Sequence, residues 1–206
     1  DSGTVSVTSV GTKVTVDAPA TLTVGNLNVT NALSVTANGD FTAGNITVTK
    51  GTYKDLKVAT DEKAGADHST TGGAATITVA DKKTAKVGDI TVDAGAFTKS
   101  GSGSLTAGNA TVNAANGLAV SEGTLTVKNF TTGASGSATV GNTGTLEVTG
   151  TITGEKQSLD VSGSLATALN NVVDYANGTA KAKTNAVVKF SSGAFVVTDE
   201  GMQYTK

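Results

Sequence analysis

His68 is the only imidazole in the chain, and the run Asp61-Glu62-Lys63-Ala64-Gly65-Ala66-Asp67-His68-Ser69 is where these residue types come closest to a reactive group. One imidazole flanked by carboxylates can hold a metal weakly, but a catalytic zinc needs three protein ligands and there is no second His. As the base of a Ser-His-Asp triad, His68 would need a nucleophile elbow, and no G-x-S-x-G is present. The run reads as a solvated charged loop. The remaining carboxylates, among them Asp17, Asp40, Asp89, Asp93, Glu122, Glu147 and Asp160, are scattered along the chain. A polysaccharide-acting enzyme would need two of them facing one sugar. A cleft gathering Asp61, Glu62, Asp67 and His68 with Asp89 and Asp93 would revive that alternative. The Gly-x-Gly at 101–103 lacks the Lys of a phosphate loop. We therefore expect no enzyme, no catalytic, cofactor-binding or metal-binding residues, and no cofactor.

Composition narrows the field in the same direction. The 206 residues include no Cys, no Trp and no Arg. Thiolate chemistry, zinc knuckles and bidentate phosphate clamps are thereby removed. A formal net charge of −2 supplies no field for nucleic acid, and no apolar run is long enough to insert in a membrane as a helix. A Cys-free chain fits an extracellular or bacterial cell-surface location.

Two polar patterns remain. Five N-x-T triplets, at Asn28, Asn45, Asn109, Asn129 and Asn177, have the form of glycosylation acceptors, close to what chance gives in a chain this rich in Asn and Thr. Thr-x-Thr recurs at 21/23, 47/49, 76/78, 124/126 and 151/153, and stacked Thr pairs are a means of ordering ice-like water. The spacing of these pairs is irregular, so they read mainly as ordinary outward strand positions, with an ice- or glycan-binding module as an alternative.

These residues sit on strands. Segments such as KVTVD (13–17), NITVT (45–49), ATITV (75–79) and TLEVTG (145–150) alternate aliphatic with polar residues, the period of a half-buried strand. The heptad Val24-Gly25-Asn26-Leu27-Asn28-Val29-Thr30 recurs from Ala43, 19 residues on, and Val87-Gly88-Asp89-Ile90-Thr91-Val92-Asp93 recurs from Ala107, 20 residues on. Val140-Gly141-Asn142 reads as a fifth copy. A period near 20 residues with Gly-Asn corners predicts an all-β fold, a β-solenoid (parallel β-helix) of degenerate repeats. A thin stacked core leaves little room for rings, in keeping with 4% aromatic content. A β-sandwich is the alternative.

We divide the chain into a solenoid over 1–157, with a polar insert at 51–73, and a C-terminal cap or docking segment over 158–206. In the latter, Leu165, Leu169, Val172 and Val173 predict a short helix over 164–176. Ala186–Phe190 and Ala194–Thr198 predict a hairpin about Ser191-Ser192-Gly193.

Runs such as LSVTANGDFTAGNITVTKGTYKDL (33–56) and GLAVSEGTLTVKNFTTGASGSATVGNTGTLEVTGTITG (117–154) resemble passenger repeats of filamentous-haemagglutinin-type adhesins and autotransporters. The composition is also similar to that of flagellin outer domains. The first resemblance implies a right-handed solenoid at a bacterial surface, used for adhesion or self-association. The expected function is thus an extracellular structural protein: a filament or matrix subunit joined head to tail by strand addition through its ends, or an adhesin. Its partners would be further copies of itself or a surface glycan.

Overall fold

The computed structural model describes residues 4–5, 12–17, 20–54, 67–69, 72–154, 158–167, 188–190, 194–198 and 201–205. Alternation builds short strands, and Gly, Asn and Asp turn the chain between them. The strands stack in parallel on those of the preceding coil, forming a β-solenoid of about 6 turns. Coil one comprises β2 (Thr12–Val16), β3 (Thr21–Val24) and β4 (Leu27–Val29), with β1 (Thr4–Val5) paired to β3. Coil two comprises β5 (Ala32–Ala37), β6 (Asp40–Ala43) and β7 (Ile46–Val48). An antiparallel pair, β8 (Thr52–Lys54) and β9 (Asp67–Ser69), leaves the stack before coil three resumes at β10 (Gly73–Val79), β11 (Thr84–Lys86) and β12 (Ile90–Val92).

Coil four is β13 (Gly95–Ser100), β14 (Ser104–Thr106) and β15 (Ala110–Val112). In coils five and six the first two faces merge into single bent strands, β16 (Leu118–Val127) and β18 (Ala138–Val148), followed by β17 (Phe130–Thr132) and β19 (Ile152–Thr153). A register shift between Val120 and Glu122 and the positive φ of Gly123 (65°) take the bend. The third face is a separate six-stranded sheet in the order β19-β17-β15-β12-β7-β4. A partial coil, β20 (Leu159–Val161) and β21 (Ser164–Thr167), follows.

Inward residues stack in columns, as the register dictates. One runs Leu33, Ala75, Phe97, Leu118, Ala138, Leu159, and another Leu22, Phe41, Ala85, Leu105, Leu125, Leu146, Leu165. The third face contributes Leu27, Ile46, Ile90, Ala110, Phe130, Ile152. Rungs lie about 4.8 Å apart. Each of the core residues Phe97, Phe41 and Phe130 has an Ala beside it, which leaves room for the ring: Phe97 beside Ala75, Phe41 beside Ala85, Phe130 beside Ala110.

Three details depart from the sequence expectations. The first four residues of the predicted helix, Ser164–Thr167, form β21, and the rest of that segment lies outside the described residues. Leu165 falls beside Leu146 in an inward column, so the alternating Ser-Leu-Ala-Thr pattern prevails there over the helical stripe. The predicted hairpin changes partners. β22 (Val188–Phe190) adds in parallel to β20, while β23 (Ala194–Thr198) pairs antiparallel with β24 (Gly201–Thr205), which in turn pairs antiparallel with β21. The register of that pair runs from Ala194 opposite Thr205 to Thr198 opposite Gly201. Finally, Val140-Gly141-Asn142 is no copy of the Gly-Asn corner: Val140 lies on the first face, beside Val120 and Val161.

Candidate functional site

Among the described residues, the structure places those that could have formed a reactive centre on different elements. Asp61 and Glu62 lie outside the described residues. His68 and Asp67 are on β9, opposite Tyr53 and Lys54 of β8. Asp89 and Asp93 flank β12 on the six-stranded sheet, and each is engaged by the next coil: Asn109 donates its backbone N–H to Asp89 Oδ1 (2.6 Å), and Asn113 Nδ2 donates to Asp93 Oδ1 (2.8 Å). Asp17 Oδ1 accepts from Asn38 Nδ2 (3.1 Å), and Glu147 Oε2 from Thr126 Oγ1 (2.8 Å). Among the described residues no group of three or more His, Cys, Asp or Glu is placed to hold a metal ion.

What the fold does assemble is a polar array on the six-stranded sheet. Its corner residues form a ladder: Asn26, Asn45, Asp89, Asn109, Asn129 and Thr151. Asn26 Oδ1 accepts the backbone N–H of Asn45 and Asn45 Oδ1 that of Asp89, both at 2.9 Å. Asn129 Nδ2 donates to Asn109 Oδ1 (2.9 Å), and Asn129 Oδ1 accepts the N–H of Thr151 (3.0 Å). The glycine before the Asn45, Asp89 and Asn109 rungs is explained by the ladder. A Cβ on Gly44, Gly88 or Gly108 would collide with the Oδ1 of Asn26, Asn45 or Asp89 from the preceding coil. Gly-Asn is thus one device spread over two coils, an amide reaching up and a space left for it.

Two residues on, the strand centres form a second column. Register aligns Asn28, Thr47, Thr91, Thr111, Thr131 and Thr153 on consecutive coils, all on the outer surface. Thr131 and Thr153 share a hydroxyl–hydroxyl hydrogen bond of 3.0 Å. The Thr47, Thr91 and Thr111 hydroxyls make no hydrogen bond among the described residues. The N-x-T triplets at Asn45, Asn109 and Asn129 are therefore the ladder and this column read along one strand, and their Asn side chains are already committed between coils. The Thr-x-Thr pairs do not stack into one face: 21/23 and 124/126 belong to the second face, 76/78 to the first, and 47/49 and 151/153 to the third.

No family model, curated protein or solved structure matches this chain.

One ionisable residue escaped the sequence reading. Lys99 occupies an inward position between Ile77 and Val120 and is fully buried. Its ammonium donates to the backbone carbonyls of Gly101, of Gly103 (2.6 Å) and of Glu122 (2.8 Å), three acceptors for three protons. Burial pushes its pKa down from 10.5 to about 8, and the Glu122 carboxylate opposes that shift. The signal was present in Phe97-Thr98-Lys99, since Lys99 shares the parity of buried Phe97. With every donor engaged, Lys99 is an internal staple between coils four and five and has no free lone pair for nucleophilic work.

Proposed function

We propose that this chain is a non-catalytic structural module of a bacterial cell surface, an extracellular adhesive rod whose contact surface is the six-stranded face. The observation that carries this reading is the column of Thr47, Thr91, Thr111, Thr131 and Thr153, held in register on a corner ladder that is already hydrogen-bonded. Rigid elements are the proper support for a binding surface, because their contacts form without further ordering of the chain. The Cys-free, Arg-free composition and the resemblance to adhesin passenger repeats support the surface location.

The test is adhesion of beads coated with the protein to glycan-coated, chitin and bare hydroxylated surfaces. Thr91→Lys and Thr111→Lys are expected to lower retention at least tenfold, while Thr98→Lys on the first face leaves it unchanged. Equal retention by all three variants, or no capture of the unsubstituted protein by any of these surfaces or by ice, overturns the reading.

A second reading, self-association through the ends, is favoured by the one-sided pairing of β2 and β4 at the N-terminal end among the described strands. Such edges are templates for strand addition.

A further inference from the structure

We infer that the threonine column binds ice, a proposal that rests on the six-stranded face being the contact surface. The argument begins with the weakness of each site. A single outward hydroxyl contributes little, because it competes with water for every hydrogen bond it makes. Five such groups bind usefully only if one rigid partner engages them together, so that the later contacts form at high effective concentration. The partner must then be periodic, with a repeat commensurate with the sheet. Coils repeat at about 4.8 Å, and residues two apart on a strand lie about 6.6 Å apart. The column therefore presents a row of hydroxyls at the coil repeat, a spacing on the scale of the oxygen repeats of an ice face, beside a ladder whose side chains are spent between coils. Each Thr also carries a methyl that excludes disordered water beside its hydroxyl.

Charge and shape decide among periodic partners. The column Asn28, Thr47, Thr91, Thr111, Thr131, Thr153 carries no charge, which suits a neutral lattice. A second copy laid face to face would bring the mid-sheet carboxylates Asp89 and Asp93 toward their own kind, a like-charge contact that disfavours lateral pairing. Crystalline polysaccharide is usually gripped by aromatic faces, and no aromatic residue stands in the outer column of these six strands. The hydroxyls of Thr47, Thr91 and Thr111, which make no hydrogen bond among the described residues, remain available to lattice water.

The experiment is ice-affinity partition of the fluorescently tagged protein with measurement of thermal hysteresis, run beside the bead assay and with circular dichroism of every variant. The unsubstituted protein is expected to be taken into a growing ice hemisphere. Thr91→Lys and Thr111→Lys should reduce the incorporated fraction at least tenfold, and Thr98→Lys should leave it unaltered. Exclusion of the unsubstituted protein from ice overturns the proposal without reference to any variant. Exclusion from ice together with Thr111-dependent retention on chitin overturns it in favour of a glycan and leaves the adhesive reading standing. Exclusion together with indifference of the beads to Thr111 removes both.

Discussion

A lysine among aliphatic side chains makes this core unusual at the scale of single residues. Ile77, Lys99 and Val120 follow one another in an inward column, and the ammonium is tolerated because the corner turns three carbonyls toward it. Lys99→Met keeps the bulk but leaves those carbonyls without donors, so we expect a loss of roughly 1–3 kcal/mol of stability at neutral pH, read from chemical denaturation. The pH dependence has a definite sign. The folded pKa, about 8, lies below the ordinary 10.5, so between those values the unfolded chain holds the proton more often than the native one. The Lys99 contribution to stability therefore rises with pH from about 8 to 10.5. Subtracting the melting profile of Lys99→Met from that of the unsubstituted protein isolates this term. A difference that stays flat across the window would show that the three carbonyls hold the ammonium at its ordinary pKa.

Elements explain what could be read from the sequence and what was hidden. Period-2 alternation, the 19–20-residue spacing and the Gly-Asn corners were legible because each states a local requirement: one face buried, one rung stacked, one space left for an amide. Partner choice was not local. The Leu165, Leu169, Val172, Val173 stripe is helical in period, yet Leu165 belongs to the column of Leu125 and Leu146, a continuation visible only once the coils are stacked. Gly141-Asn142 mimics the corner motif but falls on the bend of β18, and the true rungs at Asn129-Phe130 and Thr151-Ile152 lack the Gly-Asn spelling. The candidate site was half visible, as N-x-T triplets whose common register no spacing rule disclosed. The corner device itself can be tested. Gly108→Ala places a Cβ against Asp89 Oδ1, whose side-chain and backbone atoms are the nearest neighbours at that point. We expect a cost of roughly 1–3 kcal/mol from the crowding. In Asp89→Ala the obstructing oxygen is gone, so the second substitution should cost markedly less there. A double-mutant cycle of denaturation midpoints measures that coupling, and strict additivity would mean the ladder and the glycine act independently.

At the scale of the whole molecule the question is how a stack of parallel rungs ends. On the first face β22 continues the parallel progression, but on the second the C-terminal end leaves it: β24 pairs antiparallel with β21 and β23 adds beyond it, the form of a cap. The N-terminal rung differs. Leu27 donates its N–H to Asn45 O and Val29 O accepts from Thr49 N, so both flanking residues of β4 spend their backbone bonds on coil two. By the alternation of a parallel strand, the N–H and C=O of Asn28 point the other way, toward the side that no described strand covers. Strand addition at that edge by the outer edge of β23 in another copy is a head-to-tail contact that does not close, and it predicts open-ended growth. Sedimentation equilibrium should show a weight-average mass that climbs with concentration without a plateau, and electron microscopy should show fibres at the upper end. Asn28→Pro removes the outward N–H while leaving the bonds of Leu27 and Val29 in place, so it should hold the protein at the monomer mass with its circular dichroism unchanged. A plateau at the dimer would instead assign the edge to a closed pair of N-terminal ends. A strictly monomeric protein at millimolar concentration would overturn growth through the ends and leave the six-stranded face as the contact surface proposed above.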